Sequence, residues 1–112
     1  MQVGIEFARP LVYRAAHSIA VDARTRALDV SQAKASASDA ALAAAKTALQ
    51  VHGAIGYTWE VDLHLWMKRA WALEAAWGTS AWHRRRVAEA VLGEDPAPSF
   101  GFEARRASGV QR

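Results

Sequence analysis

Apolar residues recur at helical spacing in four segments of the chain. In the first, from about residue 3 to residue 27, one stripe holds Val12, Ala15, Ala16, Ile19 and Ala23. Pro10 interrupts this segment, because proline lacks a backbone donor and its ring clashes with the preceding turn. The first helix therefore either begins near Pro10 or runs through it with a kink.

The second segment has the clearest helical period. Asp29 or Ser31 is a candidate N-cap. Small apolar residues then follow at spacings of three and four: Val30, Ala33, Ala37, Ala40, Ala44, Ala48 and Val51. A stripe made mostly of alanine lets a neighbouring helix approach closely. The pattern predicts a long helix that packs tightly against another.

The third segment follows a break in the pattern. Gly53 and Gly56, three residues apart in an otherwise helical chain, mark a tight loop. Thr58 is then placed to cap the next helix. The inner stripe of that helix is predicted to be Leu63, Trp66, Met67, Ala70 and Leu73 or Glu74.

The last helix follows a second break at Gly78. Thr79 or Ser80 is its candidate cap, the helix is expected to end near Leu92, and Gly93 has the position of a C-cap. Residues 94–112, which contain several Pro, Gly and Ser, predict a poorly ordered tail. The expected fold is all-α: an up-and-down helical bundle over residues 1–93 that is short of one partner helix.

Composition limits the class of protein. A chain of 112 residues makes one domain, and 26 of its residues are alanine, so the core is thinly supplied with large side chains. With 22% charged residues and a net charge of +3, the chain is not expected to be disordered. No apolar run approaches the ~20 residues of a membrane span. The lack of cysteine excludes disulfides and is compatible with the reducing cytoplasm, where we expect the protein.

The candidate reactive residues favour structural roles. The four histidines show no helical pairing and no carboxylate completes a ligand set, so no metal site is expected. Ser80 lacks the strand–turn–helix context of a nucleophile and is interpreted as a cap. Glu60 and Asp62, two apart on a helix, point to different sides, which favours interaction with the helix dipole over an acid/base pair.

Nucleic acid is not an expected partner. The basic triplet Arg84–Arg86 lies in a helical pattern, where consecutive side chains point about 100° apart and make no single basic face. The five tryptophans allow three interpretations: they line a cleft, fill the core, or form an exposed surface for a partner subunit. They are Trp59, Trp66, Trp71, Trp77 and Trp82.

Three runs resemble the C-terminal helical domain of the acyl-CoA dehydrogenase family. The run QVHGAIGYTWE (residues 50–60) is similar to the family's Q-x-x-G-G-x-G-[YF]-T-x-E pattern. The run WGTSAWHR (residues 77–84) follows at the matching distance and is similar to E-G-T-x-x-x-x-R. Upstream, SQAK (residues 31–34) resembles the S-x-A-K helix start. The resemblance covers roughly residues 6–92.

The resemblance implies a flavin mechanism. In the family, FAD accepts a hydride from Cβ of an acyl-CoA thioester while a carboxylate removes the α-proton. It also implies that Gln50 and Gly53 meet the adenosine end of FAD in a neighbouring subunit, and that Thr79 contacts the flavin. The implied partners are therefore further copies of the chain or other acyl-CoA dehydrogenase subunits.

The chain departs from the family at the catalytic base. Trp77 occupies the position where many members carry the glutamate, and an indole cannot accept the proton, so no catalytic residue is assigned. Ala54 and Ala81 replace a glycine and a glutamine of the pattern. The helix preceding these segments, where some relatives place their base, is expected to be absent.

Two hypotheses remain open at this point. The chain is either a base-less C-terminal part of a flavin-dependent acyl-CoA dehydrogenase subunit, inactive alone, or a non-catalytic helical module that self-associates. Gln50, Gly53 and Thr79 favour the first, and Trp77 and Ala81 favour the second.

Overall fold

Four α-helices build the part of the protein that the structure describes. The computed structural model describes residues 1–93, and within that range it contains no strand. The helices are α1 (Gln2–Ala20), α2 (Arg26–His52), α3 (Leu63–Ala75) and α4 (Ser80–Leu92), with a short 3-10 turn at Gly53–Tyr57 between α2 and α3. The prediction of an all-α fold is confirmed. The predicted tail, residues 94–112, lies outside the described residues.

The first helix runs through its proline. Because α1 begins at Gln2 and contains Pro10, the alternative in which the helix begins near Pro10 is wrong. The helix also ends at Ala20 rather than near Ala27. Asp22 takes a left-handed conformation (φ 51°), which aspartate tolerates better than most residues, and turns the chain toward α2.

The second helix begins earlier than predicted, and neither predicted cap is correct. Its N-cap is Thr25, so Asp29 and Ser31 lie inside the helix. The Ser31 hydroxyl donates to the carbonyl of Ala27 at 2.9 Å. Asp29 is 2% exposed and points toward α1. The local sequence resembles a cap because serine and aspartate favour that position, but here Ser31 bonds back one turn within the helix and Asp29 bonds to side chains of α1.

Asp29 accepts three hydrogen bonds, two of which join α1 to α2. Its carboxylate accepts from Arg14 Nε at 2.8 Å, from Ser18 Oγ at 2.5 Å and from Thr25 Oγ1 at 2.8 Å. The side chains of Arg14 and Ser18 come from the last turns of α1, whereas Asp29 lies in the first turns of α2. At the far end of the pair, a Cβ on Gly4 would lie 3.7 Å from the Cβ of Ala40. The two helices are therefore antiparallel.

The core is built from small side chains around α2. Among the described residues, α1, α3 and α4 each pack against α2. The buried apolar residues are Ala8, Ala15, Ala33, Ala35, Leu63 and Met67. The predicted alanine stripe is only partly correct, because Val51 at its end is 78% exposed while Ser38, off the stripe, is buried. A second buried side of α2 exists because α3 and α4 cover it.

The third helix differs from its prediction at both its start and its inner face. It begins at Leu63 with Asp62 at the N-cap, so Thr58 does not cap it. The Thr58 hydroxyl instead donates to the carbonyl of Ile55 at 2.8 Å, within the preceding turn. Leu63 and Met67 are buried as predicted, but Trp66 is 74% exposed.

The fourth helix agrees with its prediction. It spans Ser80–Leu92, and the Thr79 hydroxyl at the N-cap accepts from the backbone N–H of Trp82 at 3.3 Å. Gly93 is the C-cap, with φ −70° rather than a left-handed value. None of the helices in residues 1–93 has the length and apolar character that a membrane crossing needs.

The charge of Asp29 is stabilised by its surroundings. Burial alone would raise the pKa of Asp29, but hydrogen bonds from Ser18 and Thr25, together with the Arg14 guanidinium, outweigh burial and hold the pKa below its ordinary value of 3.8. A carboxylate whose pKa is lower in the folded state stabilises that state above the unfolded pKa. This stabilisation is lost as the pH falls through the folded pKa.

Replacing Asp29 with asparagine should therefore destabilise the protein. We expect Asp29→Asn to lower the free energy of unfolding by about 1–3 kcal/mol near neutral pH, because a buried charge-assisted hydrogen-bond network is broken. Urea denaturation followed by circular dichroism measures this change. The difference between wild type and variant should be constant near neutral pH and shrink as the pH falls below 3.8.

Asp22 provides the matched control. Its carboxylate pairs with Arg26 at 2.7 Å but is 85% exposed. An exposed pair contributes little, so Asp22→Asn should change the free energy of unfolding by no more than about 0.5 kcal/mol. Equal losses in the two variants would contradict a special role for Asp29.

Candidate functional site

The turn between α3 and α4, residues 76–79, has an unusual backbone. Trp77 has φ 57° and Gly78 has φ 101°, so two successive residues are left-handed. Glycine adopts such angles freely, but a bulky side chain does so only at a cost. The indole of Trp77 is 84% exposed, so its burial does not offset that cost.

Side chains from α3 and α4 hold this turn. His83 is 5% exposed, and its Nε2 lies 3.1 Å from the carbonyl oxygen of Trp77. Glu74 accepts a hydrogen bond from the backbone N–H of Ser80 at 3.2 Å, across the turn. The carboxylate of Glu74 is therefore engaged at the N-terminus of α4, where the helix dipole favours negative charge.

A lysine from α2 reaches the same region. Lys34 Nζ donates to the carbonyl oxygens of Leu73 at 2.9 Å and Glu74 at 3.1 Å, and to Ser38 Oγ at 2.9 Å. These carbonyls belong to the last turn of α3, where the helix dipole favours a cation. Three helices thus contribute side chains to the position of one turn.

The other predicted site residues lie at the far end of α2. Gln50 is exposed in the last turn of α2, and Gly53 is exposed at the start of the Gly53–Tyr57 turn. Gly53 has φ 60°, and no atom lies within 4 Å of the place a Cβ would occupy. Another molecule can therefore approach this backbone closely.

The structure does not bring the predicted cofactor residues together within one chain. Gln50 lies sixteen residues after Lys34 on α2, which corresponds to about 24 Å along the helix axis. Lys34 contacts the last turn of α3, which leads into the turn that holds Trp77 and Thr79, so Gln50 and Gly53 lie toward the opposite end of α2. The chain presents two separate surfaces rather than one cleft.

The five tryptophans do not form the core. Their exposed fractions are 78% for Trp59, 74% for Trp66, 53% for Trp71, 84% for Trp77 and 43% for Trp82. Two have cationic neighbours: Lys68 Nζ lies 4.9 Å from the ring centre of Trp59, and the Arg86 guanidinium 5.5 Å from that of Trp82. The interpretation as core residues is wrong, because the small residues of α1 and α2 fill the interior.

An open apolar groove of about 510 Å³ lies between α1, α2 and α4. Leu11, Ala35, Val87, Val91 and Leu92 contribute apolar side chains, while Asp39 and Arg84 form an ion pair at its edge. Gln50, Gly53, Trp77 and Thr79 do not line it. Within residues 1–93, no three potential metal-ligating side chains cluster at one place.

The sequence does not reveal the side chains that hold the α3–α4 turn. From the sequence, His83 is a candidate only as a metal ligand, and Lys34 stands out only as part of the SQAK run. Lys34 meets its α3 partners 39 and 40 residues away along the chain, so no short spacing reveals the contact. Glu74 and Ser80 are six residues apart across a turn, which gives no helical signal either.

Comparisons with known proteins agree on one family. The family described as acyl-CoA dehydrogenase, C-terminal domain, matches residues 1–92. The 3-sulfinopropanoyl-CoA desulfinase of Paraburkholderia xenovorans (strain LB400) is 34% identical over 94 residues, which are 84% of this chain and 24% of that protein. Acyl-CoA dehydrogenase FadE34 of Mycobacterium tuberculosis (strain ATCC 25618 / H37Rv) is 49% identical over 49 residues, 44% of this chain and 7% of that protein.

The chain spans only a fraction of these relatives, 24% of the first and 7% of the second. No solved structure matches it significantly.

The left-handed turn generates a testable prediction at Gly78. A Cβ there would lie 3.0 Å from Trp82 Cε3 and 3.3 Å from His83 Nε2, at a backbone angle that alanine adopts with strain. We expect Gly78→Ala to lower the free energy of unfolding by about 1–3 kcal/mol. Thermal denaturation followed by circular dichroism measures the loss.

Gly4→Ala is the matched control, because its Cβ would make ordinary contact with Ala40 inside α1. Alanine is the better helix former, so this variant should be unchanged or more stable by about 0.5–1 kcal/mol. A Gly78→Ala protein as stable as wild type would contradict the conformation of the turn.

Proposed function

The chain belongs to the acyl-CoA dehydrogenase family, and from this premise we propose that it is the C-terminal helical part of a flavoprotein subunit that lacks the catalytic base. The proposed lack of a base rests on Trp77. It stands at the position of the family's base, in the left-handed turn before α4, and its indole has no acceptor for a proton. Under this hypothesis the chain alone has no dehydrogenase activity.

The nearest carboxylate does not replace the base. Glu74 lies one turn earlier, and one of its oxygens accepts the N–H of Ser80 at 3.2 Å. This hydrogen bond directs the carboxylate along the N-terminus of α4. The chain's own contribution to the chemistry is therefore positional: it presents backbone N–H groups and the Thr79 hydroxyl rather than a proton acceptor.

The two separated surfaces suit a cofactor shared between subunits. FAD, when bound, would supply the hydride acceptor for α,β-dehydrogenation. The residues present fit the edges of such a site: the open space beside Gly53 admits a ligand, and the exposed residue Thr79 caps the N-terminus of α4 with its hydroxyl. Because the surfaces lie at opposite ends of α2, we propose that Thr79 faces one FAD while Gln50 and Gly53 face that of a neighbouring subunit.

The proposed substrate class is an acyl-CoA thioester. The names of the two relatives share an acyl-CoA substrate and differ in the reaction, desulfination in one and dehydrogenation in the other. The family therefore supports the thioester more firmly than it supports a particular acyl chain. We place the complete assembly in lipid metabolism and in the cytoplasm, and the lack of cysteine in the chain is compatible with that reducing compartment.

A second candidate function is favoured by the surface. Exposed tryptophans and an open apolar groove are typical of faces that a partner covers. A non-catalytic helical module that assembles with itself would use these faces without any flavin. The two functions differ in one measurable property, the retention of FAD.

Flavin retention tests the first function. We expect this chain, tagged and co-expressed with a full-length acyl-CoA dehydrogenase subunit from the same source, to purify in a complex that shows the visible absorption of flavin. Gln50→Ala should reduce the flavin retained per complex, because it removes an exposed amide from the proposed contact. Lys46→Ala, one turn earlier on α2, should leave flavin retention unchanged. A complex without flavin would leave only the assembly function.

Self-association is the expected behaviour of the isolated chain. Sedimentation velocity should show species larger than the 12.2 kDa monomer, because an uncovered apolar groove favours a second copy. Val91→Glu in the groove should shift the distribution toward monomer. The control Val51→Glu, at a residue 78% exposed and outside the groove, should not. A clean monomer at high micromolar concentration would contradict this expectation.

A further inference from the structure

We propose that Lys34 and His83 are positioning residues, which hold the α3–α4 turn so that the free N–H groups of residues 77–79 can meet an oxygen of the ligand. The inference rests on the proposed function for the identity of that ligand, an acyl thioester. The claim that Lys34 and His83 fix the position of the turn rests on their hydrogen bonds alone.

The ammonium group of Lys34 is saturated by its contacts. Its three donors match three acceptors, the carbonyls of Leu73 and Glu74 and the hydroxyl of Ser38, at 2.9 to 3.1 Å. The two carbonyls are among those that the end of a helix leaves without intrahelical partners. Lys34 therefore fixes where α3 ends relative to α2, and thus where the turn begins.

His83 holds the turn from the other side. A carbonyl oxygen only accepts, so the contact of 3.1 Å assigns the proton to Nε2 of His83. Nδ1 then carries the lone pair, and it is buried without a partner among residues 1–93. The buried ring thus acts as a fixed donor that draws the Trp77 carbonyl toward α4.

An inward carbonyl leaves the neighbouring N–H groups available. Within the described part of the chain, the backbone N–H groups of Trp77, Gly78 and Thr79 donate to no acceptor. Successive free N–H groups in a left-handed turn form a concavity that suits a carbonyl oxygen or an anion. A strained residue such as Trp77 persists when surrounding contacts over-determine it, and His83, Glu74 and Lys34 supply those contacts.

Substitutions at the two residues separate positioning from general stability. Leucine at position 83 fills space without donating, whereas the side-chain amide of glutamine donates as the imidazole does. We therefore compare His83→Leu with His83→Gln. For the lysine, Lys34→Met keeps the apolar stem and removes the charge, and Lys46→Met is the control on the same helix.

Amide resonances of the full 112-residue chain report the turn directly. In wild type, Trp77 should show the strong intraresidue amide–Hα NOE of a positive φ. We expect His83→Leu and Lys34→Met to weaken this NOE and to shift the amides of residues 77–79 more than those elsewhere, while His83→Gln and Lys46→Met retain both signals. Unchanged 77–79 amides in both disruptive variants, or no rescue by glutamine, would overturn the proposal.

The flavin complex described above tests the role toward the ligand. His83→Leu and Lys34→Met should weaken the binding of an acyl-CoA thioester to that complex by about two- to tenfold, the range that one lost hydrogen bond corresponds to. His83→Gln and Lys46→Met should not. Variants that disturb the turn but keep the full acyl-CoA affinity would overturn the ligand-facing role. If the wild-type complex holds no FAD, the proposed function fails, and the NOE comparison still decides whether Lys34 and His83 position the turn.

Discussion

Two polar side chains on α2, one buried and one half-buried, tie the neighbouring helices to it. The core supplies mainly alanine side chains, and alanine contributes little buried area per residue. Small side chains permit close approach of helices but specify register weakly. Asp29 near the start of α2 accepts three hydrogen bonds at the α1–α2 junction, and Lys34, one and a half turns later, closes the end of α3. The directional contacts supply the specificity that the alanine core lacks.

The same shortage of large core residues explains the surface. Leu63 and Met67 are the only large apolar side chains that are buried in residues 1–93. The tryptophans lie outside, several of them more than half exposed. An apolar residue left in water by its own chain gains stability when a partner covers it, about 25 cal/mol for each Å². The fold therefore accounts for the interior of the protein, whereas its outer faces leave large apolar side chains exposed to solvent.

The sequence predicted correctly that four helices form, but it predicted poorly which side chains of each helix are buried. The boundaries of α4 were correct because Gly78, Thr79 and Gly93 act locally, through backbone freedom and capping. The start of α3 was wrong because the Thr58 hydroxyl is used within the preceding turn. Trp66 was placed inside because α3 is apolar on more than one side, and a period of 3.6 residues does not say which side is covered.

The candidate site shows the same division between local and distant information. Spacing and resemblance located Trp77 and Thr79. No local sequence pattern predicted the left-handed φ of Trp77 or the burial of the His83 ring. A tryptophan held in that conformation costs on the order of 1–3 kcal/mol of stability, and its exposed indole gains no stability from burial. Hydrogen bonds from side chains of α2, α3 and α4 offset this cost. A chain that commits three buried or half-buried side chains to one strained turn is organised around the backbone of that turn, and the identity of the side chain at position 77 is secondary. This is why different side chains at position 77 are compatible with the same surrounding geometry.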